Sequence, residues 1–391
     1  MGVIVTDCEE RIGFNVSRSL GKAGVNVTPC SKTRLAAAFY SRFCKNGFIY
    51  FPPEKNFKLF LRDIIKISEK KSGYTFIPVS DYSLLGVLTI RKKLEKSIKL
   101  PLASTQSIEV ALDKGKTLSL VKDLSIPYPE TFFPKNLSDV RRISKRLKYP
   151  VIVKPRKSKV VVGNRVLSYR VKVAYNEKDL IRNFKMLHVP KNPPLIQSVV
   201  KGVGYGFFAL FNRGEIRAFF IHRRIREFPV GMGASTLRES AYDARVKRFG
   251  KRILEELNWH GVAMVEFKMD EKGKKPKLME INPRFWGSLR LAIEAGVDFP
   301  LLLYRMITEG DVERVMKYKL GVRCRWFVGD MLHLLSVLSG KYEKNLITRG
   351  KFETLINFLK PTGTFYDILS LDDPLPGVVN LIYSISRGLR R

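Results

Sequence analysis

The fold is decided by Gly261-Val-Ala-Met-Val-Glu-Phe-Lys-Met-Asp270 and the later stretch Pro276-Lys-Leu-Met-Glu-Ile-Asn-Pro-Arg284. Both stretches have the apolar character of strands, and the polar residues between them are typical of a turn, so we predict a hairpin centred on Gly273. In that register Glu266 and Glu280 lie opposite each other, with Cβ atoms about 5 Å apart. Alternation along the second strand predicts one face with Leu278, Glu280 and Asn282, and another with Lys277, Met279 and Ile281.

Two opposed carboxylates repel each other unless a cation lies between them. Glu266, Glu280 and the amide oxygen of Asn282 are hard ligands with no Cys or His nearby, which favours Mg²⁺ or Mn²⁺ over zinc. The alternative is an exposed face on which both glutamates are solvated and paired with Lys268 and Lys277. The Asn-Pro-Arg that follows Glu280 favours the metal site, because an arginine there can stabilise charge in phosphoryl or acyl transfer.

Composition narrows the class of protein. The chain has 391 residues with 45% hydrophobic and 11% aromatic side chains, which excludes a collagen-like or largely disordered chain. Its formal net charge of +35 predicts attraction to polyanions. The four cysteines have no CxxC spacing and the four histidines no HExxH, so thiolate zinc sites and zincin chemistry are not expected. The scarcity of glutamine is a bias also seen in heat-adapted proteins.

The first residues read as a strand at Val3–Val5, a helix and a second strand at Val25–Val27. This βαβ start has no GxGxxG, so we predict a Rossmann-like scaffold and not an NAD site. Asp81 follows a later predicted strand and is either a ligand-facing residue or a helix cap. No signal-like segment and no apolar run of about 18 residues is found, so we expect a cytoplasmic protein.

Two lysines stand where anions could bind. Asp113 is placed to cap a helix, which leaves Lys114 at the positively polarised helix N-terminus. Lys154 closes a β-branched strand. Either lysine could contact phosphate or simply be solvated.

Read together, these segments resemble the ATP-grasp superfamily. The similarity is greatest to carboxylate–amine ligases and to the ATP-binding units of carbamoyl phosphate synthetase and biotin carboxylase, and it covers about residues 1–310. It is carried by Asp113-Lys114, Ile126-Pro-Tyr-Pro129, Tyr149-Pro-Val-Ile-Val-Lys154, Ile196-Gln-Ser-Val-Val-Lys-Gly202, Glu266 and Glu280-Ile-Asn-Pro-Arg284.

The resemblance implies an α/β fold with three parts. A Rossmann-like domain would span residues 1–108, and a two-lobed ATP-grasp domain would span 109–310, with lobes at 109–195 and 196–310. A mostly helical extension would follow at 311–391.

The resemblance also implies roles for individual residues. Lys114 and Lys154 would contact ATP phosphates, with Lys154 also near the adenine, and Arg284 would meet the transferred phosphoryl group or acyl-phosphate. The hinge that recognises the base would consist of Gln197, Ser198, Val199 and Val200, and Mg²⁺ would be held by Glu266, Glu280 and Asn282. Ser198 departs from the family, where a glutamate usually follows the glutamine, so base recognition would rest more on backbone atoms.

Two basic segments flank this predicted site. The loop Arg156-Lys-Ser-Lys-Val-Val-Val-Gly163 is either a lid that uses side-chain charge or an ordinary hairpin turn. Arg224 and Arg226 are candidate ligands for a substrate carboxylate, because guanidinium groups bind carboxylates bidentately. An exposed basic strand is the alternative for both.

We therefore expect an ATP-dependent ligase that converts a carboxylate into an acyl-phosphate, releases ADP and joins the acyl group to an amine. A different class is a basic protein that binds nucleic acid or another polyanion, with a vestigial or auxiliary ATP site. A basic C-terminal segment that meets an anionic membrane surface is a third reading. The oligomeric state stays open, with a homodimer among the options.

Overall fold

The computed structural model describes residues 2–189, 192–231, 233–271, 275–342, 350–359 and 363–388. The strands are β1 Gly2–Val5, β2 Asn26–Ser31, β3 Phe48–Ile49, β4 Thr75–Ile77, β5 Thr131–Phe132, β6 Val151–Lys154, β7 Lys159–Val162, β8 Arg165–Ser168, β9 Lys172–Ala174, β10 Leu195–Ser198, β11 Gly202–Asn212, β12 Glu215–Phe228, β13 Ala234–Ser240, β14 Gly261–Asp270, β15 Pro276–Asn282, β16 Arg323–Arg325 and β17 Thr364–Tyr366. The helices are α1 Arg11–Lys22, α2 Phe57–Lys70, α3 Asp81–Thr89, α4 Arg91–Leu94, α5 Thr105–Leu112, α6 Lys114–Asp123, α7 Leu137–Ser144, α8 Glu177–Leu187, α9 Ala244–Glu256, α10 Leu289–Glu294, α11 Phe299–Glu309, α12 Phe327–Leu338, α13 Lys351–Leu359 and α14 Leu375–Gly388.

The N-terminal unit is a parallel sheet with strand order β3-β2-β1-β4. The predicted βαβ start is present: α1 connects β1 to β2 and buries Phe14, Val16 and Leu20 against the sheet. The chain winds to one side of β1 and then returns to place β4 on the other side. The carboxyl ends of β1 and β4 therefore meet at the point where the winding reverses.

The second unit is a four-stranded antiparallel sheet with order β5-β10-β6-β9. Helices α7 and α8 cover it, and Val153, Leu180 and Phe184 are buried in the core between them. From β10 the chain passes directly into β11 of the largest sheet. The predicted hinge, 197–200, lies at this passage.

The largest sheet has seven strands in the order β15-β14-β11-β12-β13-β16-β17. Its alternating side chains enter two separate cores, one containing Phe208 and Trp286 and the other Phe207 and Trp259. Both faces are thus covered, which explains the nearly continuous apolar run at 207–211. The C-terminal region, predicted as mostly helical, supplies β16 and β17 to this sheet in addition to its helices.

The hairpin of β14 and β15 keeps the predicted register at the glutamates: Glu266 is paired with Glu280. Gly273, the predicted centre of the turn, lies outside the described residues. The predicted alternation is wrong in one half of β15, because a bulge lets Phe267 pair with Leu278 and skips Met279. Leu278 and Ile281 consequently share one core, away from Glu280.

The C-terminal helices carry apolar side chains on their outer faces. Examples are Leu335 on α12, Phe352 on α13 and Val378 on α14, all more than half exposed. Within the described ranges, no helix is both long and apolar enough to cross a lipid bilayer.

Candidate active site

The centre of the site is the pair of glutamates on the hairpin. Glu266 and Glu280 are paired across β14 and β15. The amide nitrogen of Asn282 donates to both carboxylates, each at a distance of 3.3 Å. The Asn282 amide oxygen accepts from Nη2 of Arg284 at 3.3 Å. The two carboxylates and the Asn282 side chain therefore converge as predicted, but the amide nitrogen faces the carboxylates, whereas the prediction placed the amide oxygen there.

Cations reach this pair from the neighbouring units. Lys114 is only 9% exposed, and its Nζ lies 3.4 Å from Oε2 of Glu280 and 3.2 Å from the Ser158 hydroxyl. Its position follows from a local signal, since the Asp113 side chain caps α6 by accepting from the backbone of Gly115 and Lys116. The cap prediction is thus confirmed.

The electrostatic effects of this packing differ between the two glutamates. Burial raises the pKa of Glu280, but Lys114 and Lys154 outweigh it and hold that pKa below its usual value. Burial also raises the pKa of Glu266, and the repulsion from Glu280 adds to this against the opposing effect of Arg224. Burial lowers the pKa of Lys154 to about 8, with the charge of Glu280 acting in the opposite direction. Mutually interacting groups with shifted pKa values are typical of functional sites.

Arg284 joins this centre to the N-terminal unit. Its Nε donates to Oδ1 of Asp81 at 2.5 Å, and its Nη1 donates to the carbonyl of Phe285. Burial favours the protonated form of Asp81, but Arg284 outweighs burial and lowers the pKa of this carboxyl. Ser80, not Asp81, is the N-cap of α3. Asp81 instead orients Arg284 towards the glutamates.

The two candidate substrate arginines lie in different places. Arg224 contacts Glu266 through Nη2, and its Nη1 lies 3.3 Å from Oε1 of Glu227. Arg226 is 5% exposed and forms a bidentate pair with Asp330 of α12, at 2.7 and 2.6 Å. Only Arg224 is therefore brought to the glutamate pair, while Arg226 anchors the C-terminal region to β12.

The predicted hinge, 197–200, connects the four-stranded sheet to the seven-stranded sheet. The amide nitrogen of Gln197 donates to the hydroxyl of Thr131 at 2.9 Å, and the Ser198 backbone N–H donates to the carbonyl of Glu130. Val200 is buried and Val199 is partly exposed. The Gln197 amide thus joins β10 to β5. The backbone of 198–200 forms the connection from β10 to β11.

The basic segment after Lys154 is a hairpin, β7 and β8, and its turn is docked on the N-terminal unit. The carbonyl and the side-chain oxygen of Asn164 accept from the first N–H groups of α2, those of Phe57 and Lys58, at 2.8 and 2.9 Å. Val166 is buried in the core of that unit. The segment is thus a docked hairpin, and its first residues, Ser158 and Lys159, lie beside Lys114 and Glu280.

The donor set suits a hard divalent cation. Among the described residues, no three His, Cys, Asp or Glu side chains lie close enough together to hold a metal ion by themselves. A cation beside Glu266, Glu280 and Asn282 would accordingly need further oxygen ligands from water or phosphate, which is how Mg²⁺ commonly binds in nucleotide sites.

Sequence reasoning missed several residues at this site. Lys268 follows Glu266 by two positions in β14, and its Nζ reaches the carbonyl of Gly231 at 3.4 Å. Glu227 lies three positions after Arg224 in β12, and its carboxylate forms an ion pair with Arg224 at 3.3 Å. Strand alternation gave a signal for Lys268, whereas no local pattern indicates Glu227.

Comparison with known proteins supports the same unit. A family profile described as "ATP-grasp in the biosynthetic pathway with Ter operon" matches residues 212–329. The carbamoyl phosphate synthase large chain of Pyrococcus furiosus is 28% identical over 249 residues, 61% of this chain and 22% of that protein. The chain thus spans about a fifth of the length of this curated relative.

Solved structures share the fold at low identity. The biotin carboxylase domain of 2-oxoglutarate carboxylase from Hydrogenobacter thermophilus has a TM-score of 0.66 at 15% identity, covering 82% of this chain and 73% of that one. N5-carboxyaminoimidazole synthetase from Staphylococcus aureus has a TM-score of 0.62 at 17% identity, covering 82% and 80%. The family profile and the sequence relative identify an ATP-grasp unit in this chain, and the solved structures share its fold.

Proposed function

We propose that this protein is an ATP-dependent ligase that activates a carboxylate as an acyl-phosphate and joins it to an amine. The observation that carries the proposal is the meeting of Lys114, Lys154, Glu266, Glu280 and Arg284 at the junction of three sheets. The relatives named above are a carbamoyl phosphate synthase, a biotin carboxylase and a carboxyaminoimidazole synthetase. Their likeness favours ATP over other phosphate donors.

In the proposed reaction, Lys114 and Lys154 hold the phosphates and the backbone at 198–200 lies beside the base. When bound by Glu266, Glu280 and Asn282, Mg²⁺ would neutralise charge on the phosphate oxygens. Arg284, fixed by Asp81, holds the substrate carboxylate in line with the γ-phosphate. The carboxylate oxygen attacks that phosphorus, the bond to the β,γ-bridging oxygen breaks and ADP leaves.

An amine then attacks the carbonyl carbon of the acyl-phosphate, and inorganic phosphate leaves. The amine gives up a proton as the C–N bond forms. Neither step uses a nucleophilic side chain of the protein. The rate enhancement would come from positioning and from charge already in place around the reacting atoms. Docking of the β7–β8 hairpin on the N-terminal unit would keep water away from the acyl-phosphate.

Nucleotide product analysis tests this proposal. The protein is incubated with Mg-ATP and pools of carboxylates and amines, and Glu280→Gln is assayed in parallel. We expect ADP and phosphate that depend on the pools and are lost in the variant. Release of AMP and pyrophosphate would contradict the acyl-phosphate step. The polyanion-binding alternative draws on net charge alone, and no contact described above favours it.

A further inference from the structure

A large cavity lies beside the site, between the N-terminal unit and the β7–β9 region. Its volume is about 790 Å³, within the range of small-molecule sites. It opens at the carboxyl ends of β1, β2 and β4, where the winding of the parallel sheet reverses. Ligands bind at such points in open α/β sheets, yet this unit has no nucleotide fingerprint.

The cavity adjoins the proposed phosphate site. Asp81 and Lys159 line it, and they also line a smaller cavity of about 240 Å³ that contains Lys114, Glu280 and Asn282. Arg284 forms part of the wall of the larger cavity. A molecule in the larger cavity would therefore present one end to Arg284 and to the transferred phosphoryl group.

The two walls of the cavity have opposite charge. The wall from the N-terminal unit carries the carboxylates Asp7, Glu9, Glu10, Glu54 and Asp81, and Lys32 is the one cation among its described lining residues. The facing wall carries Lys159, Arg170, Lys172 and Arg284. The acidic wall is notable in a chain with a net charge of +35. Opposite charges on the two walls of one cavity are complementary to a ligand that has a positively charged group at one end and a negatively charged group at the other.

Glu9 is the residue on the acidic wall that points to a ligand. It is 2% exposed, and its Oε2 accepts from the Ser31 hydroxyl at 2.8 Å. Its other oxygen, Oε1, receives no hydrogen bond from any described residue. The ammonium of Lys32 is 3.9 Å from that oxygen and donates to Glu54 at 2.8 Å instead. Oε1 lies at the cavity wall without a hydrogen-bond donor from the described part of the chain, and an ammonium group in the cavity would supply one.

Asp7 does not have this property. Its carboxylate accepts from the hydroxyls of Thr6, Tyr50 and Ser83, all within 3.0 Å. It therefore supplies negative charge beside Glu9 but is already satisfied as an acceptor. Glu9 is the better candidate for direct contact with a cationic group.

We propose that this cavity binds an amino acid or another ligand with an ammonium group at one end and a carboxylate at the other. The ammonium contacts Glu9, and the carboxylate lies at Arg284, where it is phosphorylated. The inference rests on the proposed function for the fate of the carboxylate. The charge pattern of the cavity supplies the class of substrate.

Isothermal titration calorimetry on the full chain tests the proposal, both without nucleotide and with MgADP. The probes are the proteinogenic L-α-amino acids and a series of ω-amino acids from glycine to 6-aminohexanoate. Each is compared with the matched carboxylate that lacks the amine and the matched amine that lacks the carboxylate. We expect at least one amino acid to bind at least tenfold more tightly than both of its matched analogues.

Glu9→Gln is the decisive variant, and Glu95→Gln, an exposed partner of Arg91 in the same unit, is the control. Gln keeps the acceptor for Ser31, so the fold should persist; the circular dichroism spectrum and Tm check this. We expect Glu9→Gln to weaken the amino acid at least tenfold and to leave the matched carboxylate and MgADP unchanged. Equal binding of amino acids and carboxylates, no binding by any probe, or no effect of Glu9→Gln would overturn the proposal. If the wild type binds an amino acid without nucleotide but does not bind MgADP, the proposed function is refuted and the amino acid site is not.

Discussion

Replacing Glu280 by Gln should separate the nucleotide site from the stability of the fold. The Lys114 ammonium lies 3.4 Å from Glu280, an attraction of at most about 5 kcal/mol at an effective dielectric constant of about 20. Glu266 faces the same carboxylate, and its repulsion offsets much of that attraction. The free energy of unfolding without ligand should therefore change by less than about 2 kcal/mol.

The effect on MgADP binding should be much larger. A ligand present at a hundred times its Kd stabilises the folded state by about 2.7 kcal/mol. If Glu280→Gln raises the Kd by about a hundredfold, the same ligand concentration stabilises the variant by only about 0.4 kcal/mol. Thermal unfolding with and without MgADP measures both quantities. Glu239→Gln is a matched control, since Glu239 is a strand glutamate paired with Arg223 and Arg323 away from the site.

Two results would refute this reasoning. A Glu280→Gln variant that keeps the full MgADP-induced rise in Tm would show that Glu280 holds neither metal nor phosphate. A variant that is unfolded without ligand would show that the glutamate pair is part of the stability of the hairpin. Glu239→Gln should keep the wild-type rise in Tm in either case.

Three further changes test other parts of the structure. Burial lowers the pKa of Lys154 to about 8, so this amine loses its charge as the pH rises through that value. The Kd for MgADP, measured by calorimetry, should therefore increase about tenfold between pH 7 and 9. The dependence of Kd on pH should be flatter in Lys154→Arg, and the same dependence in variant and wild type would contradict the assignment. Asp330→Ala leaves Arg226 buried without its bidentate partner and should cost about 3–5 kcal/mol in urea unfolding, whereas a loss below about 1 kcal/mol would mean that the pair does not anchor α12. Val166→Asp places a charge in the N-terminal core and should release the β7–β8 hairpin, so that trypsin cleaves the hairpin at least tenfold faster than in the wild type. Val161→Asp, at an exposed position of the same hairpin, should leave the cleavage rate unchanged. Equal cleavage rates in the two variants would contradict docking.

The parts of the site that the sequence predicted depend on local patterns. The register that pairs Glu266 with Glu280 follows from the length of the hairpin, and the position of Lys114 follows from the cap by Asp113. Both require only neighbours in the chain. The alternation failed at Leu278 because a bulge depends on how the strand packs between two cores, and no periodic pattern reports it.

The parts that the sequence did not predict are contacts between distant segments. Nothing near Arg226 distinguishes it from Arg224, and their roles separate only because Asp330 comes to lie against β12. The sequence pattern offers Asp81 as either a ligand-facing residue or a helix cap, but its pairing with Arg284 joins segments about 200 positions apart. Charge partners of this kind are set by the packing of whole units.

The pairing within the site also explains why nucleotide and metal should bind together. Three of the cations already have a carboxylate: Lys114 has Glu280, Arg224 has Glu266 and Arg284 has Asp81. A phosphate that bound Lys114 or Arg224 without a metal would take the nearest counter-charge away from a partly buried glutamate, which is costly. A divalent cation bound by the same glutamates removes that cost, because each broken pair is replaced by one phosphate–cation and one carboxylate–metal contact. If the glutamates hold the metal as proposed, the complex of nucleotide with metal would match the charges that the folded chain brings together better than either component alone.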